Sequence, residues 1–369
     1  MISQLLVMTM LFSGCAKNVS LENKEIHFAV TGEKALYDYD ESFMNGVQMA
    51  IEDCNGQYAG EGFQISMEFY DDEGVYEKGI VISHGIAEDH RVTAVLGSQS
   101  FYITNSAAEI FENAGKILIT PYSANDETLE EGYQYLFRNT HSANDVGVAL
   151  AKYAVEKGYR RVAVCSRGSE YEAAVVRGFC RESRDSGLKI ADYFTKANTQ
   201  DELDGVFERW ELLEVNCVVI VQYSEADAFD LLKAIRSKYP TMPILGDMAF
   251  DIKELLAKYR EFSDHIVIAG PLNIEPGEKN RIFKNRYLER YRTQPTDYAI
   301  QGYDSIKMTV DTAVRLNSTD PAMIAAELHR KGYDGISGAI RFDEKGRLVS
   351  GLPELLISQD GVFRRGDDE

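Results

Sequence analysis

No apolar run in this chain approaches the roughly 20 residues that a helix needs to cross a bilayer; the run Leu5–Phe12 has eight. Basic residues are also in short supply, with 39 Lys and Arg against 59 Asp and Glu and a net charge of −20. The positive footprint that phosphate backbones require is therefore missing, and no nucleic acid is expected as a partner. Cysteine is scarce, five in 369 residues, and no CxxC occurs. Cys54, Cys165, Cys180 and Cys217 lie in apolar strand-like or helical patterns and read as small buried hydrophobes. If an exported chain oxidised a pair, Cys165 with Cys180 is the candidate. A GxGxxG after a strand, a GxxxxGK[ST] loop and a GxSxG elbow are all absent, which removes the simplest signals for nucleotide binding and serine hydrolysis. The six histidines are scattered, and His84 with His90 lacks the spacing of a helical metal site. Neither an enzyme, a cofactor nor a metal is called for.

What the chain does have is length and alternation. At 369 residues it exceeds the roughly 250–300 residues that one core usually serves, so two lobes are expected. In the second half, strand-like runs at Arg161–Cys165, Leu188–Phe194, Cys217–Val221 and Met242–Leu245 alternate with helical patterns at Asp145–Glu156, Tyr171–Ser183, Gln200–Leu213 and Glu225–Lys238. A step of about 25–30 residues is that of a β-α unit in a parallel sheet, so this half reads as a doubly wound α/β lobe. In the first half, Ile26–Thr31 reads as a strand, followed by a loop holding Gly32, Tyr37, Tyr39 and Asp40. Helical stretches at Glu278–Tyr291 and Ala299–Leu316 come later. No Pro, Gly or Ser-rich linker separates the halves, so the chain is expected to cross between lobes more than once.

The stretch Val95–Glu127 is the most informative. Two short apolar runs, Val92–Leu96 and Ile117–Thr120, flank a helical pattern through Ile103, Ala107, Phe111 and Ala114. This is one β-α-β unit, and ligands sit outside the carboxyl ends of such strands. Ser98, Gln99, Ser100, Tyr122, Ser123 and Asn125 fall at those ends. The same residue types also cap helices and form turns. In Tyr70-Asp71-Asp72, adjacent carboxylates on a strand point to opposite faces, so one of them capping the next turn is expected rather than a metal or acid/base pair.

At the amino-terminus, Leu5–Phe12 runs into Ser13-Gly14-Cys15, which resembles a bacterial lipobox with Phe where Leu is usual. That likeness implies a signal peptide over 1–14, lipid attached to Cys15 and a tether over 15–24, leaving the folded part on the periplasmic or extracellular side of a membrane.

Taken in order, the Gly97 and Pro121 turns, Gln301-Gly302-Tyr303-Asp304-Ser305 and above all Gly338-Ala339-Ile340-Arg341-Phe342-Asp343-Glu344-Lys345-Gly346 resemble the leucine/isoleucine/valine-binding family of periplasmic solute-binding proteins. The resemblance covers Lys24 to Phe363. It implies an α/β fold of two doubly wound Rossmann-like lobes joined by three crossings, the type I periplasmic binding protein fold. Lobe 1 would span 25–138 and 271–335, and lobe 2 would span 139–270 and 336–369. A small organic ligand such as an amino acid would be enclosed between them, and the permease of an ABC transporter would read the closed, monomeric form. The sensing alternative has the same module report to a signalling partner.

The resemblance also implies site positions. Tyr39 would pack over the ligand, and Ser98, Gln99, Ser100 and Phe101 would form the turn that grips an α-carboxylate. Counting from Gly97 to Pro121 puts Phe101 where the family has its gripping Ser, with Ser100 one residue early. Tyr122, Ser123 and Ala124 stand where the family has an Ala-Thr pair. In the second lobe, Tyr171 and Tyr223 match site tyrosines. The carboxylate facing the α-ammonium falls by count on Met248, with Asp247 adjacent.

Overall fold

The computed structural model describes residues 24–195, 197, 199–221, 224–272, 274 and 277–365. Cys15, the 1–14 leader and Tyr223 lie outside the described residues, as does the proposed tether up to residue 23.

The first sheet is built from β1 (Lys24–Gly32), β2 (Phe63–Asp71), β3 (Val92–Leu96), β4 (Ile117–Thr120) and β5 (Leu136–Arg138). All its pairings are parallel, in the order β2-β1-β3-β4-β5. The chain then forms β6 (Arg161–Ser166), β7 (Lys189–Phe194), β8 (Cys217–Val221), β9 (Ile244–Gly246) and β10 (Ile266–Ala269). A two-stranded pair follows, β11 (Tyr333–Asp334) with β12 (Ala339–Ile340), and then the hairpin β13 (Leu355–Gln359) and β14 (Val362–Arg365). The second sheet has the order β14-β13-β10-β9-β8-β6-β7, with the terminal hairpin antiparallel on an otherwise parallel sheet.

Strands covered by helices on both faces read as unbroken apolar runs. In β8, Val219 and Val221 enter one hydrophobic cluster and Val218 and Ile220 another, on the opposite face. That two-sided burial explains the cysteines. Cys165 points into the cluster that holds Phe207 and Trp210, whereas the helix Glu170–Ser186, which carries Cys180, packs Val175 and Phe179 into the other. The sheet lies between them, and the two sulfurs belong to opposite faces. The candidate pair Cys165–Cys180 is therefore not brought together, and the reading of these cysteines as small buried hydrophobes fits Cys54, Cys165 and Cys217, which are buried.

The chain passes between the sheets three times, after β5, after β10 and before β13. The crossings run side by side: His141 N–H donates to Pro271 O at 3.1 Å, Glu354 N–H to Leu272 O at 3.1 Å and Gly270 N–H to Glu354 O at 2.8 Å. The last crossing comes later than the sequence reading placed it. Ile336, Ile340, Phe342 and Leu348 all join the first lobe's core, and Arg138 N–H donates to Gly346 O at 2.9 Å, laying this segment beside β5. The Asp304 carboxylate fixes the start of the segment by accepting from Ile336 N–H and from the N–H and hydroxyl of Ser337. Residues 336–350 therefore pack with the first sheet, and the boundary at 335 is corrected accordingly.

Candidate functional site

In each sheet the strand order reverses at the first strand of the winding, between β1 and β3 in one and between β6 and β8 in the other. Ligand crevices form at such switch points, outside the carboxyl ends of the strands. The loops after β1 and β4 lie toward those after β6 and β9, as the Tyr39–Glu254 approach and the influence of Tyr298 on Tyr171 show.

On the first side the aromatic residues cluster. Tyr122, half-buried after β4, stacks on Tyr298 at 5.0 Å with 28° between the planes, and lies 5.3 Å from Phe43 and 6.0 Å from Tyr37. Burial drives the Tyr122 phenol well above its ordinary pKa, with Tyr37, Tyr298 and the Asp40 carboxylate adding to it. Tyr37 and Tyr298 were not picked out as site residues from sequence. Tyr37 lies in a six-residue helix, Lys34–Tyr39, too short to show a period, and Tyr298 precedes the apolar pattern that marked its own helix, Asp297–Leu316.

The residues read as a ligand-gripping turn divide by role. Ser98 is buried and turned into the scaffold, its hydroxyl donating to Asp72 Oδ2 at 2.7 Å. Gln99 Oε1 accepts from Glu33 N–H at 3.0 Å, tying the loop after β3 to the loop after β1. Ser100 caps the helix Phe101–Asn113, accepting from Ile103 N–H at 3.5 Å. Phe101 is half-buried against Tyr102, ring to ring at 5.4 Å. Phe101 and Tyr102 open this helix, so their N–H groups have no partner within it and point toward its positive end. Only one of Asp71 and Asp72 was expected to cap the turn; both do, accepting from Glu73 N–H and Gly74 N–H.

Ser123 is buried, and its Oγ has no hydrogen-bond partner among the described residues. Ala124 leans on the second lobe's core and takes Ala143 N–H on its carbonyl at 2.9 Å. Tyr39 sits on the rim, 72% exposed, its hydroxyl 3.4 Å from Glu254 Oε2 of the opposite lobe.

On the second side, Tyr171 stands in the first turn of the helix Glu170–Ser186. Its loop is fixed by the buried Glu172, whose Oε2 accepts from Ser166 Oγ, Arg167 N–H and Gly168 N–H. Burial raises the Tyr171 phenol, and the charges of Asp247 and Tyr298 add to the shift, so these three groups share one region of the cleft. Asp247 follows β9 and is 3% exposed; its Oδ1 accepts from Ala249 N–H at 3.1 Å. Burial pushes its carboxyl up to about 7, opposed by that N–H and reinforced by the Glu172 carboxylate. Among the described residues no Lys, Arg or His pairs with it. An ionised carboxylate buried without a cation is costly, which is why burial favours its protonated form.

Known proteins match over nearly the whole chain. The leucine-, isoleucine-, valine-, threonine- and alanine-binding protein of Pseudomonas aeruginosa is 22% identical, covering 86% of this chain and 85% of its own. The Leu/Ile/Val-binding protein of Escherichia coli K12 is 21% identical, covering 92% and 93%. Among solved structures, an ABC transporter substrate-binding protein of Desulfitobacterium hafniense in complex with Leu superposes with a TM-score of 0.83 at 24% identity, covering 93% of this chain and all of its own. A solute-binding protein of R. palustris in complex with benzoate gives 0.71 at 15%, covering 93% and 95%. The profile of the periplasmic binding protein family matches residues 28–353, most of the chain, and this protein belongs to that family.

Proposed function

We propose that this chain is the extracytoplasmic solute-binding component of an ABC transporter, and that its two lobes close over an amino acid. The observation that carries this reading is Asp247, a carboxylate 3% exposed with a backbone N–H but no cation. An α-ammonium group would complete it. The N–H groups at the start of the helix Phe101–Asn113 and the Ser123 hydroxyl, unpartnered among the described residues, would take the α-carboxylate, with backbone at Phe101 standing in for the family's gripping Ser. Tyr122, Tyr171 and Tyr298 would enclose the side chain, with Tyr39 at the rim. Lobe 1 is taken as 25–138 with 271–350, and lobe 2 as 139–270 with the chain's end.

The relatives named for leucine, isoleucine and valine support this ligand class. The benzoate-bound neighbour marks the alternative chemistry, and an aromatic acid would leave Asp247 without a cation. No helix among the described residues is long and apolar enough to cross a membrane. Attachment would instead come from lipid on Cys15 after removal of 1–14, with 15–23 as tether.

A thermal-shift screen over amino acids, aromatic acids and amides tests the reading. Amino acids should raise the melting temperature, since a ligand at 100 times its Kd adds about 2.7 kcal/mol. Stabilisation by aromatic acids alone, or by no compound, overturns it.

A further inference from the structure

Where the three crossings meet, a cavity of about 20 Å³ lies between Asn139 and His141 of the first crossing, Leu272 of the second, Ser350 of the third, and Gln301 and Asp304 of the helix Asp297–Leu316. Its polar walls are buried, with Asn139, His141 and Gln301 exposed by 3%, 2% and 1%. Four of their atoms have no hydrogen-bond partner among the described residues: Asn139 Oδ1, Gln301 Oε1 and both ring nitrogens of His141.

Turning the amides over would not help. Gln301 Nε2 donates to two carbonyls, Pro121 O at 3.3 Å and Asn139 O at 3.2 Å. Asn139 Nδ2 donates to Ser305 Oγ at 2.8 Å and to Gln301 O at 3.5 Å. Both amide oxygens are thus fixed as the unused ends. Burial, opposed by Asp145 and aided by Arg138, pushes His141 down to about 4, so near neutral pH its ring carries one N–H and one bare nitrogen. Each buried group left without a bond costs about 1–3 kcal/mol; a small occupant with two donors and one acceptor meets three of the four, the two amide oxygens and the ring N–H, and leaves only the bare ring nitrogen of His141. A cavity of roughly 10–15 Å³ suffices for one water. A monovalent cation is the rival, because the Asp304 carboxylate stands in the wall. That carboxylate, however, already accepts three hydrogen bonds from Ile336 and Ser337.

We propose that this cavity binds one water molecule that donates to Asn139 Oδ1 and Gln301 Oε1 and accepts from the ring N–H of His141. It fastens the first crossing to the helix beneath it, at the point about which the lobes move, whatever ligand the cleft takes.

The test is a high-resolution crystal structure of the wild-type protein grown near neutral pH with rubidium as the only monovalent metal ion. The expected result is a single peak at about 2.7–3.2 Å from all three groups, with no anomalous signal at the rubidium edge. A cavity without density, or a peak with rubidium anomalous signal, overturns the proposal.

Discussion

At Asp247 the cleft stores a charge that the fold alone does not neutralise. Its carboxyl titrates near 7 in the folded protein, against 3.8 for an ordinary Asp. Between those values the folded state holds a proton that the unfolded chain releases, so the ligand-free protein loses stability as pH rises through that window. The loss is on the order of 4 kcal/mol. Asp247→Asn removes it, and the ligand-free variant should melt above the wild type at pH 8. The same change should weaken an amino-acid ligand by at least about 30-fold, since removing one partner of a buried charge pair costs roughly 2–5 kcal/mol. Binding an ammonium group requires the ionised carboxyl, so the wild-type Kd should rise about tenfold per pH unit below 7 while that of Asp247→Asn stays flat. Calorimetry across pH measures both, and equal slopes would assign the titration to another group. Asp247 was reached from sequence by position alone, one residue from where the count fell. For Ser98 and Gln99 the sequence leaves both roles open, because a polar residue at a strand end reads identically whether it faces ligand or scaffold; the structure adds that their side chains bond to Asp72 and to Glu33 N–H.

The helices that carry the site are set by close backbone contacts. A Cβ on Gly178 would fall 2.1 Å from Asn144 O, and one on Gly147 would fall 2.0 Å from Val175 O, so the helices Ala143–Glu156 and Glu170–Ser186 touch through glycine on both sides. The first lobe repeats the device, with Gly46 against Ala299 O between the helices Ser42–Tyr58 and Asp297–Leu316. Glycine inside a helix costs about 1 kcal/mol relative to alanine, and here close packing offsets it. Gly178→Ala should therefore destabilise rather than stabilise, by about 1–3 kcal/mol as the helices are forced apart. It should also weaken ligand binding, because Tyr171 rides on the displaced helix. A fall in the urea midpoint together with a raised Kd is expected; an unchanged midpoint would mean the helices part freely. Periodicity located these elements well: Gln200–Leu213, Glu225–Lys238 and Glu278–Tyr291 are helices over the residues read from sequence. It could not show which helices touch through glycine, nor find the helix Lys34–Tyr39 or the strand Val362–Arg365, which are shorter than the window in which a period becomes visible. The segment 336–350 was assigned to the wrong lobe for a related reason: a few alternating apolar residues fit either core equally well.

Across the whole molecule, closing the lobes brings acid toward acid. The Glu170 carboxylate of the second lobe stands close enough to Glu127 of the first to raise the Glu127 carboxyl. At the rim the Tyr39 hydroxyl meets Glu254, with the Glu225 and Asp40 carboxylates nearby. For a chain of net charge −20, closure thus does work against like charge, which a cationic group on the ligand offsets only at its own site. Tyr39 tests this because it is 72% exposed and can be changed without disturbing a core. Tyr39→Glu places a carboxylate opposite Glu254 and penalises the closed form alone, while Tyr39→Gln removes the same ring without adding charge. Exposed pairs are worth about 0.2–1 kcal/mol, so Tyr39→Glu should bind ligand roughly two- to fivefold more weakly than Tyr39→Gln at low ionic strength. Salt near 1 M shortens the screening length to about 3 Å, and there the two variants should converge, with equal melting temperatures throughout when ligand-free. A difference in affinity that persists at high salt would place the effect in the ligand contact rather than in the approach of two acidic lobes.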